Sequence, residues 1–179
     1  AIRQAAFSRI TYGVHLGLNG ELVAAKKEFD KAQAELGNVI SERHTLLNNF
    51  AVLLLFERNI GNETEGLLRQ AMLTAASDFE RITINISYLV LMDWRDNRAE
   101  AENTINLILK ILETPSFASK EIIRYAYFDI YKYYDRIGQH EKANLFRKKV
   151  QELQIPETPI WQFWLNNSPI SIDDEEYHL

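Results

Sequence analysis

The chain has 179 residues, 46% hydrophobic and 25% charged, with a formal net charge of −5 and no cysteine. A chain of this length can bury about 70% of its unfolded surface as one domain. Zero cysteines exclude disulfides and thiolate metal sites, which makes the cytoplasm the expected compartment. Basic residues stand singly or in short groups such as Arg147-Lys148-Lys149. That pattern lacks the clustered cations that counterion release from phosphates requires, so no nucleic-acid partner is expected. No stretch approaches the ~18 apolar residues of a membrane span; the longest run, Phe50 to Phe56, reads as a buried helix face.

All four prolines lie beyond residue 114, so the first two thirds can be nearly continuous helix. Patterning predicts helices at about 3–18, 21–36, 40–58, 62–75, 78–95, 98–113, 119–137 and 139–153, pairing into four hairpins. Asn62 with Glu65, and Ser77 with Glu80, have capping-box spacing. Ser119 is a candidate cap after the Thr114-Pro115 break, and Gly37, Gly61 and Gly138 offer permissive backbone between helices.

The first unit is the most regular. Gly13 lets a neighbouring helix approach closely, and after Gly20 the residues Leu22, Ala25, Phe29, Ala32 and Leu36 form a narrow apolar stripe. Small residues belong where helices cross, and Phe29 is expected to fill the gap to the next unit. The order Tyr12-Gly13, Leu16, Gly20, Leu22, Ala25, Phe29, Ala32 is similar to a tetratricopeptide repeat, without the Trp that the family often carries. The resemblance implies an all-α fold, a right-handed superhelix (α-solenoid) of about four antiparallel hairpins over residues 1–154. The units fall at about 3–37, 40–75, 78–113 and 119–153.

In the second unit Thr45, Leu46, Asn48, Asn49, Phe50 and Ala51 resemble the Thr-Leu-Asn-Asn-Leu-Ala of the longer repeats of kinesin light chains and bacterial signalling proteins, with Leu47 extra. Its turn carries Thr64 where a small Ala is expected. The third unit has Ser87, Tyr88, Leu91 and Met92, then Ala101, Ile105, Ile108 and Leu112. Two registers fit its first helix. One sets Ser87 opposite Ala51; the other, counted back from Ala101, sets Tyr88 opposite Phe50. The first is preferred because a small residue belongs at the crossing. In the fourth unit Ile123, Tyr127, Ile130, Tyr134 and Ile137 make an apolar face, followed by Ala143, Phe146 and Val150. Of the surrounding aromatics, Tyr125 and Tyr133 are expected to face solvent. Taking Ala25, Thr64, Ala101 and Ala143 as equivalents, the repeat spacings are 39, 37 and 42 residues.

Residues 155–179 are expected to form a cap around Trp161, Phe163 and Trp164 and an acidic tail, Asp173-Asp174-Glu175-Glu176. Ala1 falls inside a helical pattern without a starting Met, as expected of a piece of a longer regulatory protein.

No catalytic constellation is expected. The four histidines, His15, His44, His140 and His178, lie in different units, the seven glycines are dispersed, and no cofactor or metal site is implied. In repeats of this kind the first helices line the concave face. The resemblance therefore implies a ligand groove lined by Asn48, Asn49 and Val52, by Asn85 and Tyr88, and by Tyr125, Asp129 and Lys132. An Asn amide pairs with the backbone of an extended peptide without reading its sequence. The expected function is a protein–protein interaction scaffold or sensor module, with other domains of the same chain as further partners. A small-molecule or oligosaccharide sensor built on the fourth unit's aromatics is the alternative. A clamp for acidic carboxy-terminal tails is not expected, because Ile10 and Val14 stand where that subtype carries Lys and Asn, and the uncharged Thr83 and Ile86 or Ser87 where it carries Lys or Arg.

Overall fold

The computed structural model describes residues 2–37, 43–114 and 119–154, and among these there are eight α-helices and no strand. They are α1 (Ile2–Leu18), α2 (Leu22–Leu36), α3 (Arg43–Phe56), α4 (Asn62–Thr74), α5 (Asp78–Trp94), α6 (Arg98–Leu112), α7 (Lys120–Arg136) and α8 (His140–Glu152). The expected break at Pro115, the cap around Trp161 and the acidic tail lie outside the described residues. None of the described helices is long and apolar enough to cross a membrane. The fold is all-α, with neighbouring helices packed in pairs as in a helical repeat.

The chain divides into two compact units, Ala1–Ser87 and Tyr88–Leu179, with the boundary inside α5. In the first, α1 packs on α2 and α3 on α4, and α3 also touches both α1 and α2. Gly13 explains the α1–α2 contact. A Cβ there would stand 2.8 Å from the Phe29 ring, inside van der Waals distance. Gly17 does the same toward α3, where a Cβ would meet Leu53 at 3.2 Å. Phe29 reaches the next pair, its ring 5.8 Å from that of Phe50, as the sequence pattern predicts. Ala25, Ala32, Leu36, Leu46 and Leu54 complete this core. Outside it, Arg9 of α1 bridges Glu28 and Glu35 of α2.

In the second unit α7 packs on α8 and touches α6. Phe146 of α8 inserts between Tyr127 and Tyr134, at 5.8 and 5.9 Å between ring centroids. Lys142 and Lys149 lie over the Tyr134 and Tyr127 rings at 4.7 and 5.2 Å. The basic face of α8 thus covers aromatic surface with its aliphatic stems while its charges stay in water.

One backbone device closes all four hairpins. Glu21 N–H donates to Leu16 O, Asn59 to Leu54 O, Asn97 to Met92 O and Gln139 to Tyr134 O, each at 2.9 Å. In each turn the residue before the donor is left-handed: Gly20 (φ 80°), Arg58 (φ 59°), Asp96 (φ 52°) and Gly138 (φ 74°). This six-to-one bond over a left-handed residue is a Schellman cap, which satisfies a carbonyl that the helix end leaves unpaired. Its spacings are 38, 38 and 42 residues, against 39, 37 and 42 from the small residues. The discrepancy lies in the second turn, which is one residue longer before Thr64. Thr64 is fully buried and its hydroxyl donates to Asn59 O at 2.6 Å, so a polar side chain satisfied locally replaces the expected Ala.

The caps correct several expectations. Gly61 has φ −78° and ends the turn in extended conformation; the left-handed position of that hairpin is Arg58. Asn62 is already helical and makes no side-chain cap, because Gly61 takes the capping position. The Ser77–Glu80 box does form, with Glu80 N–H on Ser77 Oγ at 3.2 Å and Ser77 N–H on Glu80 Oε2 at 3.1 Å. Ser119 occupies the α7 cap position without a side-chain bond, whereas Asn97, unassigned from sequence, accepts from Glu100 N–H. The shared cap also fixes the third unit's register. Met92 stands with Leu54, so Tyr88 is opposite Phe50 and Leu89, not Ser87, is opposite Ala51. A large side chain occupies the position where a small one was expected.

Three substitutions test these constraints by chemical denaturation. Gly13→Ala lowers stability by about 1–2 kcal/mol, overpacking against Phe29 outweighing the gain in helix propensity. Arg58→Gly raises it by about 1 kcal/mol by removing left-handed strain, and Gly138→Ala lowers it by a similar amount.

Candidate functional site

In the cap register the face expected to line a groove recurs as Phe7, Thr11 and Val14 on α1, then Thr45, Asn49 and Val52 on α3. It continues as Thr83, Ser87 and Val90 on α5, and as Tyr125, Asp129 and Lys132 on α7. Five of the eight sequence-assigned residues, Asn49, Val52, Tyr125, Asp129 and Lys132, occupy this face. Asn85 and Tyr88 fall outside it, since the preferred register was displaced. Asn85 is buried and donates its amide to Arg81 O at 2.8 Å, a bond within its own helix.

Exposure along this face differs from helix to helix. Phe7 and Thr11 are exposed; Thr45, Asn49 and Val52 are half-buried. On α7 Tyr125 is half-buried and donates to Glu121 at 3.2 Å, while Asp129 and Lys132 are buried. Seven consecutive residues, Phe128 to Tyr134, are withdrawn from solvent. Tyr133, expected to face solvent, is fully buried, because α7 is enclosed over nearly its whole circumference and helical period alone cannot single out an outer side.

Asn48 is the anomaly of the first unit. Its register equivalents are Ile10, Ile86 and Phe128, all buried and apolar. Asn48 sits at a core position, 7% exposed, and its Oδ1 is buried with no hydrogen-bond partner. An orphaned acceptor of this kind costs about 1–3 kcal/mol. Beside it on α3 are the half-buried Asn49 and Val52, and one turn back Thr45, whose hydroxyl lies 2.9 Å from His44 Nε2. His44 in turn is 3.4 Å from Glu80. Burial alone pushes the Glu80 carboxyl up, but the Ala76 and Ser77 amides, with His44 behind them, outweigh it and hold the group below the usual carboxylate range.

The second unit has its own buried polar group. Arg136 donates Nε to Asp93 Oδ1 at 2.6 Å and Nη2 to Asp93 Oδ1 and to the Asp93 carbonyl, clamping the C-terminal end of α5 to that of α7. Burial raises the Asp93 pKa above the usual carboxylate range against the pull of the guanidinium. Tyr134 donates to Glu102 Oε2 at 2.9 Å; burial and that bond push its phenol up. The Tyr133 hydroxyl has no hydrogen-bond partner, and burial raises its pKa too. The clamp joins residues 43 positions apart, which no local sequence pattern links.

Among the described residues no three His, Asp or Glu side chains cluster in a way that could hold a metal ion. His15 is exposed beside Asn19, and His140 is exposed 3.7 Å from Asp135.

Arg136→Met, which leaves Asp93 buried without its counter-charge, lowers unfolding free energy by about 2–4 kcal/mol. Adding Asp93→Leu restores most of that loss, as measured by denaturant titration of the single and double variants.

No protein-family model, no curated protein and no solved structure matches this chain.

Proposed function

We propose that this chain is a tetratricopeptide-like interaction module of a larger regulatory or signalling protein of the cytoplasm, and that it binds an extended protein or peptide segment on the α3 face. The observation that carries this reading is Asn48. A polar side chain at a position that is apolar in the three equivalent helices, with its acceptor unsatisfied, is a cost that folding alone does not explain. A peptide N–H supplies the missing partner once the Asn48 amide turns outward from its core position toward the half-buried Asn49. Asn49 beside it offers both donor and acceptor to the same backbone, and Val52 offers apolar contact one turn on. The repeating caps and paired helices support a scaffold that presents such a face.

A second reading, a small-molecule or oligosaccharide sensor, draws on α7. There Asp129 and Lys132 are buried at positions whose α1 equivalents are Thr11, exposed, and Val14, half-buried. Tyr125, Tyr127 and Tyr131 surround them in sequence, and such aromatic surface suits a sugar or planar ring.

Asn48→Leu separates a binding role from a structural one. The variant is expected to be about 1–2 kcal/mol more stable, because an unsatisfied polar group is replaced by an apolar one of similar volume. It is also expected to lose affinity at least about tenfold, roughly one charge-neutral hydrogen bond, for peptides selected on the wild-type chain from a random display library. Binding unchanged in both Asn48→Leu and Asn49→Ala removes the α3 face from the site. A library that yields no binder, together with thermal stabilisation by saccharides that Tyr125→Ala abolishes, moves the function to α7.

A further inference from the structure

The first hairpin turn carries a chemical feature that neither its packing nor the binding face uses. Asn19 is the only asparagine in the chain followed by glycine. Both residues are exposed, and Gly20 has φ 80°. The space where a Gly20 Cβ would stand has no atom within 4 Å. The Asn19 side-chain nitrogen Nδ2 lies 3.2 Å from His15 Nε2, one helical turn back and likewise exposed. An asparagine amide, an unhindered following nitrogen and an imidazole at the leaving atom are therefore in one place.

We propose that Asn19 is a site of spontaneous deamidation, with His15 as its proton relay. The Gly20 backbone nitrogen attacks Asn19 Cγ and gives up its proton. A new N–C bond closes a five-membered succinimide, the Cγ–Nδ2 bond breaks, and Nδ2 leaves as ammonia after taking a proton through His15. Solvent water then adds to one of the two ring carbonyls and opens the ring to aspartate or isoaspartate. No oxidant or reductant enters. Glycine is the residue that permits this, since any Cβ would crowd the attacking nitrogen. The Gly20 N–H also donates to Gly17 O at 3.0 Å, so ring closure proceeds from the frayed turn. Exposed helix ends reach that state at little free-energy cost.

The product matters for the fold. Isoaspartate adds a methylene to the main chain one residue before the left-handed Gly20, and so disrupts the Glu21 N–H to Leu16 O bond that closes the α1–α2 hairpin. Aspartate adds a negative charge at the C-terminal end of α1, where the helix dipole opposes it. Either product loosens the hairpin that carries Gly13 and Phe29, so the turn acts as an ageing mark on the first pair.

The test ages the intact purified chain in neutral buffer at physiological temperature and follows each asparagine by peptide mapping. Expected are conversion of Asn19 to a mixture of aspartate and isoaspartate ahead of every other asparagine, and faster amide exchange at Glu21 in the aged protein. His15→Ala, an exposed substitution that leaves the core intact, slows conversion by about threefold or more, well below the ~100-fold of a fully positioned general acid because the pair is exposed to water. Asn19 remaining an amide in the folded chain over a period in which the urea-unfolded chain converts overturns the proposal. Conversion of His15→Ala at the wild-type rate overturns the relay.

Discussion

The structure depends on how closely two helices of a pair can approach while the chain reverses in a few residues. The reversal is the same in all four hairpins: a carbonyl of the last helical turn is paired across a left-handed residue to the amide that follows it. That bond fixes where the second helix begins relative to the end of the first. The fixed start then determines which residue of the second helix meets the crossing point. Ala25, Thr64, Ala101 and Ala143 are all buried there. Small volume at this point is a consequence of the cap rather than an independent preference, and Thr64 is tolerated because its hydroxyl is consumed by the lengthened turn itself.

Where the cap residue is glycine, the sequence announces it; where it is Arg58 or Asp96, it does not. This accounts for most of the difference between pattern and structure. Gly20 and Gly138 were legible, and the first and fourth pairs were placed within a residue or two. Arg58 adopts φ 59° because the tertiary requirement for a turn overrides its own preference. With the left-handed residue hidden, the nearby Gly61 reads as the turn residue, and Ser87 is matched to Ala51 only because both are small. Capping boxes were legible only where the capping residue was free to be non-helical, as at Ser77, and not at Asn62.

The positions of the candidate face were legible in part for a related reason. Period and family resemblance placed Asn49, Val52, Tyr125, Asp129 and Lys132 on one side of their helices, and the cap register keeps them there. Neither reports how much of that side is covered. Asp129, Lys132 and Tyr133 belong to a run of seven residues, Phe128 to Tyr134, that are all withdrawn from solvent. Enclosure is a property of the packed unit, not of the helix. The Asp93–Arg136 clamp has the same character. It ties two helix ends through a desolvated carboxylate, and charges of that kind are held by specific hydrogen bonds rather than by proximity alone.

Asn48 and the α7 polar residues differ in a way that bears on function. In the second unit Asp93 Oδ1 has a guanidinium and Tyr134 has Glu102, although Asp93 Oδ2 and the Tyr133 hydroxyl have no hydrogen-bond partner. Asn48 Oδ1 has no such compensation, and its three register equivalents show that the fold is content with Ile or Phe at that position. A packed core tolerates an uncompensated amide only at a cost of one or two kcal/mol, about what a single hydrogen bond returns on binding. The first unit therefore holds a bonding capacity that its own folding leaves unused, in an acceptor buried beside the half-buried Asn49.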